Sequence, residues 1–187
     1  MPQTSTIIEQ QLISGEELWE MGDIGPCELI EGRIVMTSPT NAEHGFIEVN
    51  IVHALKSYIK RKKLGWVLTG EVGIYTRRNP DTVRGADVAF ISKERLPDRP
   101  HKKYLEISPE LVVEIFSPTE SRKNIRDKVR EYLAIGAEQV WVVDPGSQTV
   151  TVHRPARETQ TLGIKDILRG EGVLEGFRMK VRDIFET

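Results

Sequence analysis

Apolar residues recur at helical spacing between about residue 42 and residue 63. The repeat is formed by Ile47, Ile51, Leu55, Tyr58 and Ile59. Residues three or four positions apart lie on the same face of a helix, so this segment predicts an amphipathic helix that packs on a core. Leu64 and Gly65 follow, and a glycine just beyond the last apolar residue is typical of a helix end. This is the longest helix that the sequence predicts.

A second helix is predicted from about residue 121 to residue 135, and Gly136 closes it. At about 100° per residue, its buried stripe contains Ile125, Val129, Tyr132 and Leu133. Lys128 falls on the margin of this stripe, whereas Lys123 and Arg130 face solvent. The margin position allows Lys128 to lay its methylenes along the sheet and keep its ammonium near polar groups.

The N-terminal part predicts a short helix followed by a hairpin. Ser14 with Glu17 three residues later is a capping-box pattern, which opens a helix to about Met21. Residues 27–36 are typical of two short strands around a Glu31-Gly32 turn. Residues 1–13 are expected to be a tail, and residues 14–187 a single domain.

Further strands are predicted at 66–76, 85–91, 111–116, 139–143 and 149–153. The strand at 111–116 is apolar on both faces, which favours the middle of a covered sheet. Because a helix separates it from the strand at 139–143, these two strands are expected to be parallel neighbours. The alternating strand at 149–153 is expected at an edge. The tail from 162 to 187 carries scattered apolar residues, and the whole predicts an α/β fold with a mixed sheet.

Composition narrows the class of protein. The chain has 187 residues, a formal net charge of −2, a hydrophobic content of 39% and one cysteine, Cys27. These values exclude a strongly basic nucleic-acid coat and a disordered acidic tail. A lone cysteine forms no intramolecular disulfide, which favours a reducing cytoplasm. No segment approaches the about 20 apolar residues of a membrane span, and no secretory leader is expected.

The net charge hides an asymmetry along the chain. Residues 1–32 carry a formal charge of −7, and the remaining residues sum to +5. The basic side chains cluster on the two long helices; they are Lys56, Lys60, Arg61, Lys62 and Lys63 on the first, and Arg122, Lys123, Arg126, Lys128 and Arg130 on the second. Such clusters indicate either solvated helix faces or a phosphate-binding surface.

Two acids interrupt predicted central strands. Asp87 lies among Ala86, Val88, Ala89 and Phe90, and Glu114 lies between Val113 and Ile115. A buried carboxylate needs a cation or strong donors nearby, so two such acids suggest a shared cation. Oxygen ligands without a cysteine or histidine pair favour Mg²⁺ or Mn²⁺. The alternative is that these acids lie at strand ends and cap a helix or pair with an arginine such as Arg84.

Carboxylates, a metal and a lysine together favour phosphodiester hydrolysis. The metal polarises a phosphoryl oxygen, and Lys128 would stabilise developing negative charge. Ordinary burial of an aliphatic stem at a core boundary is the other interpretation of Lys128. The sequence contains no Gly-rich phosphate loop, no G-x-S-x-G elbow and no arrangement that supports nucleophilic catalysis by Cys27.

Several segments occur along the chain in a specific order: Cys27-Glu28-Leu29-Ile30-Glu31-Gly32-Arg33-Ile34-Val35, Ser38-Pro39, His44, Ala86-Asp87-Val88-Ala89-Phe90, Leu111-Val112-Val113-Glu114-Ile115-Phe116-Ser117-Pro118, Lys128 with Tyr132, Gly136, and Val140-Trp141-Val142-Val143-Asp144-Pro145. In this order they resemble the Uma2 family, which belongs to the PD-(D/E)XK restriction-endonuclease-like superfamily. The resemblance covers about residues 14 to 187. It implies a restriction-endonuclease-like core with its active site at one edge of a mixed sheet flanked by helices.

The resemblance also implies roles for individual residues. Asp87 and Glu114 match the acids of the two superfamily motifs, and Glu28 matches a family acid that would be an auxiliary metal ligand. Phe116 stands where the superfamily lysine is expected, which leaves Lys128 as the candidate lysine. The accessory candidates are Lys123, as the second choice of lysine, and His44, which would orient a phosphate or water unless backbone groups satisfy it. His53, His101 and His153 match no family position.

The sequence therefore predicts a Mg²⁺- or Mn²⁺-dependent DNA endonuclease in which Asp87, Glu114 and Glu28 bind the metal and Lys128 assists the attacking water. A catalytically degenerate nucleic-acid-binding or regulatory module on the same fold is the alternative, and Phe116 favours it. A protein-interaction scaffold is a third hypothesis. A cytoplasmic location and a homodimer are expected, the latter because superfamily members that cut both strands commonly pair two sites.

Overall fold

The computed structural model describes residues 11–98, 100, 103–117 and 120–186. Residues 1–10 of the predicted tail, His101 and Pro118 lie outside these ranges. The helices are α1 (Gly15–Glu20), α2 (Ala42–Lys62), α3 (Arg122–Ala134) and α4 (Arg182–Phe185), with a 3₁₀ turn at Gly172–Leu174. The strands are β1 (Cys27–Ile30), β2 (Arg33–Met36), β3 (Gly65–Arg77), β4 (Thr82–Ser92), β5 (Leu111–Ile115), β6 (Gln139–Asp144), β7 (Thr149–His153), β8 (Gln160–Leu162), β9 (Ile167–Arg169) and β10 (Arg178–Lys180).

Eight strands of the described chain form one mixed sheet. Its order is β2-β1-β4-β5-β6-β7-β8, and β3 pairs with β4 beside this path. β5 and β6 are parallel neighbours joined through α3, whereas the other pairs are antiparallel, so the predicted crossover is confirmed. The prediction of an edge strand at 149–153 was wrong, because β8 pairs with β7 on its outer side. β9 and β10 form a separate two-stranded sheet.

Helix α2 covers one face of the sheet. Asn41 caps its first turn by accepting from the His44 N–H at 2.8 Å, and Lys63 ends it in the left-handed conformation. The apolar stripe of α2 packs on Val88, Val113 and Trp141, and the C-terminal segment closes this core with Leu168, Leu174, Phe177 and Ile184. The scattered apolar residues of the tail therefore belong to a packed cover on the α2 side.

Helix α3 covers the opposite face. Ser121 caps it by accepting from the Asn124 N–H at 3.1 Å. Its buried stripe of Ile125, Val129 and Tyr132 packs on Val112, Val140 and Ala89 of the sheet. Because β5 is covered by helices on both faces, all five of its residues are buried, including Glu114.

The N-terminal elements follow the predicted pattern. Ser14 and Glu17 form both hydrogen bonds of the capping box at the start of α1. Glu31 and Gly32 both have positive φ, at 51° and 75°, which is the conformation that a tight two-residue hairpin requires. The Gly15 N–H donates to Asp81 Oδ2 at 2.9 Å, and this bond holds α1 against the β3–β4 connection.

An irregularity in β3 changes the sheet opposite Asp87. The β3–β4 register shifts between Thr69 and Val72, so two residues of β3 bulge out of the ladder. Gly70 and Glu71 there have φ values of 90° and 57°. A bulge re-aims a side chain relative to its strand, and the residue it re-aims here is Glu71. No helix in the described part of the chain is long and apolar enough to cross a membrane.

Candidate active site

A cleft of 460 Å³ opens where the β1–β2 hairpin, the first turn of α2, the β3 bulge and the first turns of α3 meet. Its titratable lining residues are Glu28, His44, Glu71, Asp87, Glu114, Glu120 and Lys128. These side chains come from six different elements and from the segment before α3. The structure therefore brings Asp87, Glu114, Lys128, Glu28 and His44, which the sequence singled out, to one place.

Lys128 lies at the centre of the polar contacts in this cleft. Its Nζ atom donates to Glu114 Oε2 at 2.8 Å and to the Gly85 carbonyl at 2.9 Å, and it lies 3.2 Å from Glu28 Oε1. These acceptors account for all three donors of an ammonium group. Burial favours the neutral form of Lys128, but the charges of Glu114 and Glu28 outweigh burial and raise the pKa. The side chain therefore remains a cation at neutral pH.

Glu114 is held from two sides. Lys128 binds its Oε2 atom, and the Tyr132 hydroxyl donates to its Oε1 atom at 2.9 Å. Complete burial raises the pKa of Glu114 well above its ordinary value, and the charge of Lys128 opposes this shift. Lys128 and Glu114 form one coupled pair. We assign a positive charge to Lys128, because Glu28 and the Gly85 carbonyl also face its ammonium. Tyr132 was predicted only as a core residue, and its hydroxyl contact was missed.

Asp87 joins β4, β5 and α2. Its Oδ2 atom accepts from the Ile115 N–H at 2.6 Å, directly after Glu114, and its Oδ1 atom lies 3.1 Å from His44 Nε2. This distance is that of an ion pair with the protonated ring, and no backbone group of the described chain binds either ring nitrogen. Burial lowers the pKa of His44, but Asp87 and Glu48 outweigh burial and raise it. The ring is thus not satisfied by backbone groups.

Glu28 is bound more fully than the other acids. Its Oε1 atom accepts from the Gly85 N–H at 3.0 Å and contacts Lys128, and its Oε2 atom accepts from Arg84 Nη1 at 3.0 Å. Arg84 also forms two bonds of 2.8 Å with the Glu131 carboxylate. The suggestion that Arg84 pairs with Asp87 or Glu114 was therefore wrong, because its guanidinium is taken by Glu28, Glu131 and Asn124.

Glu71 was missed by the sequence analysis. Although much of the residue is exposed, its carboxylate lies over Gly85: a methyl group added to Gly85 would be 2.7 Å from Glu71 Oε2. Desolvation there and the negative charge of Asp87 raise the pKa of Glu71 to about 7. No periodicity marks this position, because a bulge is set by pairing with β4 and leaves only the preceding Gly70 as a local signal.

Lys123 lies outside the cleft, and the acids inside the cleft are engaged with other groups. Lys123 does not reach the cleft, because its side chain is 78% exposed and its Nζ atom binds Asp127 at 2.7 Å one turn along α3. In the described part of the chain, no three His, Cys, Asp or Glu side chains are arranged as a ready metal-binding group. The acids instead bind Lys128, Arg84 and backbone N–H groups.

Comparison with known proteins places this geometry in a family. The family model described as "Uma2: Putative restriction endonuclease" matches residues 16–182, which is most of the chain and includes every residue of the cleft. The chain belongs to the Uma2 family. The resemblance found in the sequence is thus confirmed, and membership supports a nuclease function for this Uma2 chain.

A solved structure shows the same fold. It is titled as the crystal structure of a putative nuclease belonging to DUF820 from Anabaena variabilis ATCC 29413. It is similar to this Uma2 chain with a TM-score of 0.79 and 23% sequence identity, over 92% of this chain and 97% of the other. No curated protein matches the chain. The α/β fold with a mixed sheet flanked by helices is therefore confirmed, and the roles of individual residues stay predictions.

Proposed function

We propose that this chain is a divalent-metal-dependent endonuclease that hydrolyses phosphodiester bonds of DNA. The observation that carries the proposal is the contact of Lys128 with Glu114, next to Asp87, in an open cleft of a Uma2 chain. Two acids and a lysine at one point suit phosphodiester hydrolysis, since the reaction develops negative charge on oxygen atoms. DNA as substrate, a cytoplasmic location and a homodimer stay predictions.

The donor atoms are carboxylate oxygens, the kind that Mg²⁺ or Mn²⁺ binds, although the described acids are not arranged as a ready metal group and would have to turn toward a common point. A carboxylate has about four lone-pair sites. Glu114 uses one lone-pair site on each oxygen, and Asp87 uses one lone-pair site for the Ile115 N–H. Both carboxylates therefore keep lone-pair sites that can bind a cation. The carboxylate of Glu71 faces the same cleft. We assign Asp87, Glu114 and Glu71 as the residues that would hold the metal, which when bound supplies Lewis-acid stabilisation of the phosphoryl oxygens.

Glu28 has a different role in this proposal from the one its family position implies. Three contacts already occupy its carboxylate, from Gly85, Lys128 and Arg84. Removing the bonds from Gly85 or Arg84 to bind a metal would leave a buried donor or charge without a partner, which is costly. We therefore assign Glu28 to the positioning of Lys128 and Arg84.

Lys128 would act as a fixed positive charge. Its raised pKa excludes it as a base at neutral pH, because an ammonium has no lone pair to accept a proton. The contact to Glu28 is the longest of its three, at 3.2 Å, and so it is the one most readily exchanged for a phosphate oxygen or a water. His44, buried beside Asp87 and lining the cleft, would orient the water or a phosphate oxygen.

Plasmid nicking tests the proposal. We expect the purified protein to convert supercoiled plasmid to nicked or linear DNA with Mg²⁺ or Mn²⁺ and not with EDTA. Asp87→Asn keeps an oxygen for the Ile115 N–H but loses the charge, so we expect the rate to fall about a hundredfold or more. Asp127→Asn, whose carboxylate pairs with Lys123 and Arg130 away from the cleft, is the matched control and should keep the wild-type rate.

Calorimetric titration with Mn²⁺ gives a second readout that does not depend on turnover. Binding should be lost in Asp87→Asn and retained in Asp127→Asn. Wild-type nicking by Asp87→Asn would reject the proposed site, and absence of nicking with either metal would reject the proposed reaction.

A nucleic-acid-binding module without catalysis is the second candidate. The full occupation of the three donors of Lys128 and the absence of a ready metal group among the described residues favour it. This candidate predicts DNA binding that weakens steeply with salt, together with no cleavage under any metal condition.

A further inference from the structure

A groove leaves the cleft beside His44 and runs between the first turns of α3 and the β6–β7 hairpin. Its nearer part, of 450 Å³, shares His44 and Ser117 with the cleft. Its farther part, of 420 Å³, shares Phe116, Arg122, Asp144 and Ser147 with the nearer part. We call this continuous path the side groove; its lining includes Phe116, Arg122, Arg126, Ser147 and Thr149, with the acids Glu43 and Asp144.

Phe116 forms the wall of the side groove next to the cleft. Its N–H donates to the Val143 carbonyl at 2.8 Å, so the residue continues the ladder of β5 and β6. Side chains two positions apart in a strand lie on the same face, which places the ring on the face that carries the Glu114 carboxylate. The ring is half-buried against the core under α3, and the Arg122 guanidinium lies 5.4 Å from its centre.

The side groove carries two exposed arginines, together with the acids Glu43 and Asp144. The side chain of Arg122 is 78% exposed, and its nearest acid, Asp144, is 4.0 Å away. Arg126 is exposed and forms no ion pair with any part of the chain that the structure describes. The first turn of α3 contains no acidic residue to offset these charges or the positive end of the helix. Arg122 and Arg126 therefore offer local contacts for phosphates that follow the scissile one.

An aromatic ring beside two exposed arginines has the chemistry of a single-strand binding surface. Bases stack on aromatic side chains, and arginines bind the phosphates between them. A base is available for such stacking only when it has left the duplex stack. Hydroxyl groups of Ser147 and Thr149, 2.8 Å apart, lie across the groove from the arginines and offer further donors.

We infer that the side groove binds an unpaired DNA nucleotide adjacent to the cleavage point, with its base stacked on Phe116 and its phosphates on Arg122 and Arg126. This inference rests on the proposed function, and it names the substrate class as DNA with a single-stranded segment, such as a fork or flap. It also gives a role to the aromatic residue that stands where the superfamily lysine is expected.

Metal-free binding tests the inference separately from catalysis. Fluorescence anisotropy in EDTA would follow the Asp87→Asn protein with labelled oligo(dT) of about twelve nucleotides, a blunt duplex and a forked duplex. We expect Phe116→Leu, which keeps apolar packing, to weaken binding of the single strand and the fork about tenfold, and Phe116→Trp to restore it. Binding of the blunt duplex should change much less.

Two matched controls separate the side groove from general surface effects. Trp19→Ala removes an exposed aromatic on α1, and Arg130→Gln removes an exposed arginine on the other face of α3; neither should alter binding. Arg122→Gln should weaken the fork and reduce the salt slope by about one. Equal losses on all three DNAs, or none, after Phe116→Leu would overturn the inference, as would a preference for a matched RNA strand.

The outcomes also distinguish the two proposals. Metal-dependent nicking by the wild type with no effect of Phe116→Leu on binding would overturn the side groove alone. Binding that depends on Phe116 without nicking by the wild type would overturn the endonuclease and leave the side groove supported as part of a binding module.

Discussion

Lys128 and Glu114 meet at 2.8 Å, although fourteen residues separate them and they lie on different elements. The lysine comes from the buried side of α3, and the acid comes from a strand covered on both faces. The pair therefore lies in a low-dielectric region, where removing one partner is costlier than losing an exposed ion pair. Its position beside Asp87 also makes it the centre of the proposed reaction.

The pair predicts that Lys128→Met lowers both activity and stability. The substitution leaves Glu114 buried without its cation, which costs about 3–5 kcal/mol in the free energy of unfolding. We expect plasmid nicking to fall about a hundredfold or more. Nicking assays and urea denaturation measure the two effects.

Two further variants separate charge loss from damage to the fold. Lys123→Met, on the exposed face of the same helix, should leave both quantities near wild type. The double variant Lys128→Met with Glu114→Gln should be more stable than Lys128→Met alone, since no buried charge remains unpaired. Wild-type nicking by Lys128→Met would show that the lysine has no part in the reaction.

The sequence predicted the strands and helices that carry this pair because their burial is periodic. β5 has an uninterrupted apolar pattern on both sides of Glu114, and α3 has a stripe with Lys128 at its margin. A charged residue in such a pattern is recognisable without coordinates, because burial of a charge demands a partner. The same reasoning found Asp87 and, through the helix angle, preferred Lys128 to Lys123.

What the sequence did not predict depends on tertiary pairing. Glu71 reaches the cleft through a bulge whose register is set by β4, and Arg84 meets Glu28 across a separation of fifty-six residues. The strand β8 was missed because it has three residues and only one of them is buried, which is too short for a period-two pattern.

The Arg84 network makes a stability prediction. Arg84 is 3% exposed and binds Glu28 and Glu131, so Arg84→Met should lower the free energy of unfolding by about 3–5 kcal/mol. The matched control is Arg77→Gln, whose partner Glu31 and own side chain are both more than half exposed. Arg77→Gln should lower the free energy of unfolding by no more than about 1 kcal/mol. Equal denaturation midpoints for the two variants would contradict a structural role for the network.

The same network predicts a pH dependence of stability. Burial raises the pKa of Glu131, but the hydrogen bonds from Arg84 outweigh burial and hold the pKa below its ordinary value of 4.5. At pH values between the pKa of Glu131 in the folded protein and its ordinary value of 4.5, the folded state therefore binds fewer protons than the unfolded state. The stabilisation is present above pH 4.5 and is lost as the pH falls through the pKa of the folded protein.

Denaturation midpoints between pH 7 and pH 3 measure this effect. Glu131→Gln should be less stable than wild type at pH 7, and the difference should shrink as the solution is acidified. Glu158→Gln, an exposed glutamate without an ion pair in the described chain, serves as the control. A constant difference between Glu131→Gln and wild type across the range would be inconsistent with linkage through this carboxylate.

Gly85 offers a direct test of Glu71. A methyl group at Gly85 would meet Glu71 Oε2 at 2.7 Å, while the next atom of that side chain is 3.6 Å away, so only the flexible carboxylate end must move. We therefore expect Gly85→Ala to fold with stability close to wild type. If the carboxylate of Glu71 contributes to the metal site, its displacement should reduce nicking roughly ten- to a hundredfold and weaken Mn²⁺ binding in calorimetry.

A glycine-to-alanine change outside the cleft and removal of the Glu71 carboxylate are the controls for this prediction. Gly45→Ala adds a methyl group in α2 where no atom lies within 4 Å, so it should keep activity and gain about 0.5–1 kcal/mol of stability from helix propensity. Glu71→Ala should reduce nicking and Mn²⁺ binding as Gly85→Ala does. Adding Gly85→Ala to Glu71→Ala should then reduce nicking and Mn²⁺ binding little further, because the new methyl group has no carboxylate to displace. Additive losses in the double variant would show that Gly85→Ala acts through Lys128 or Glu28 instead of Glu71.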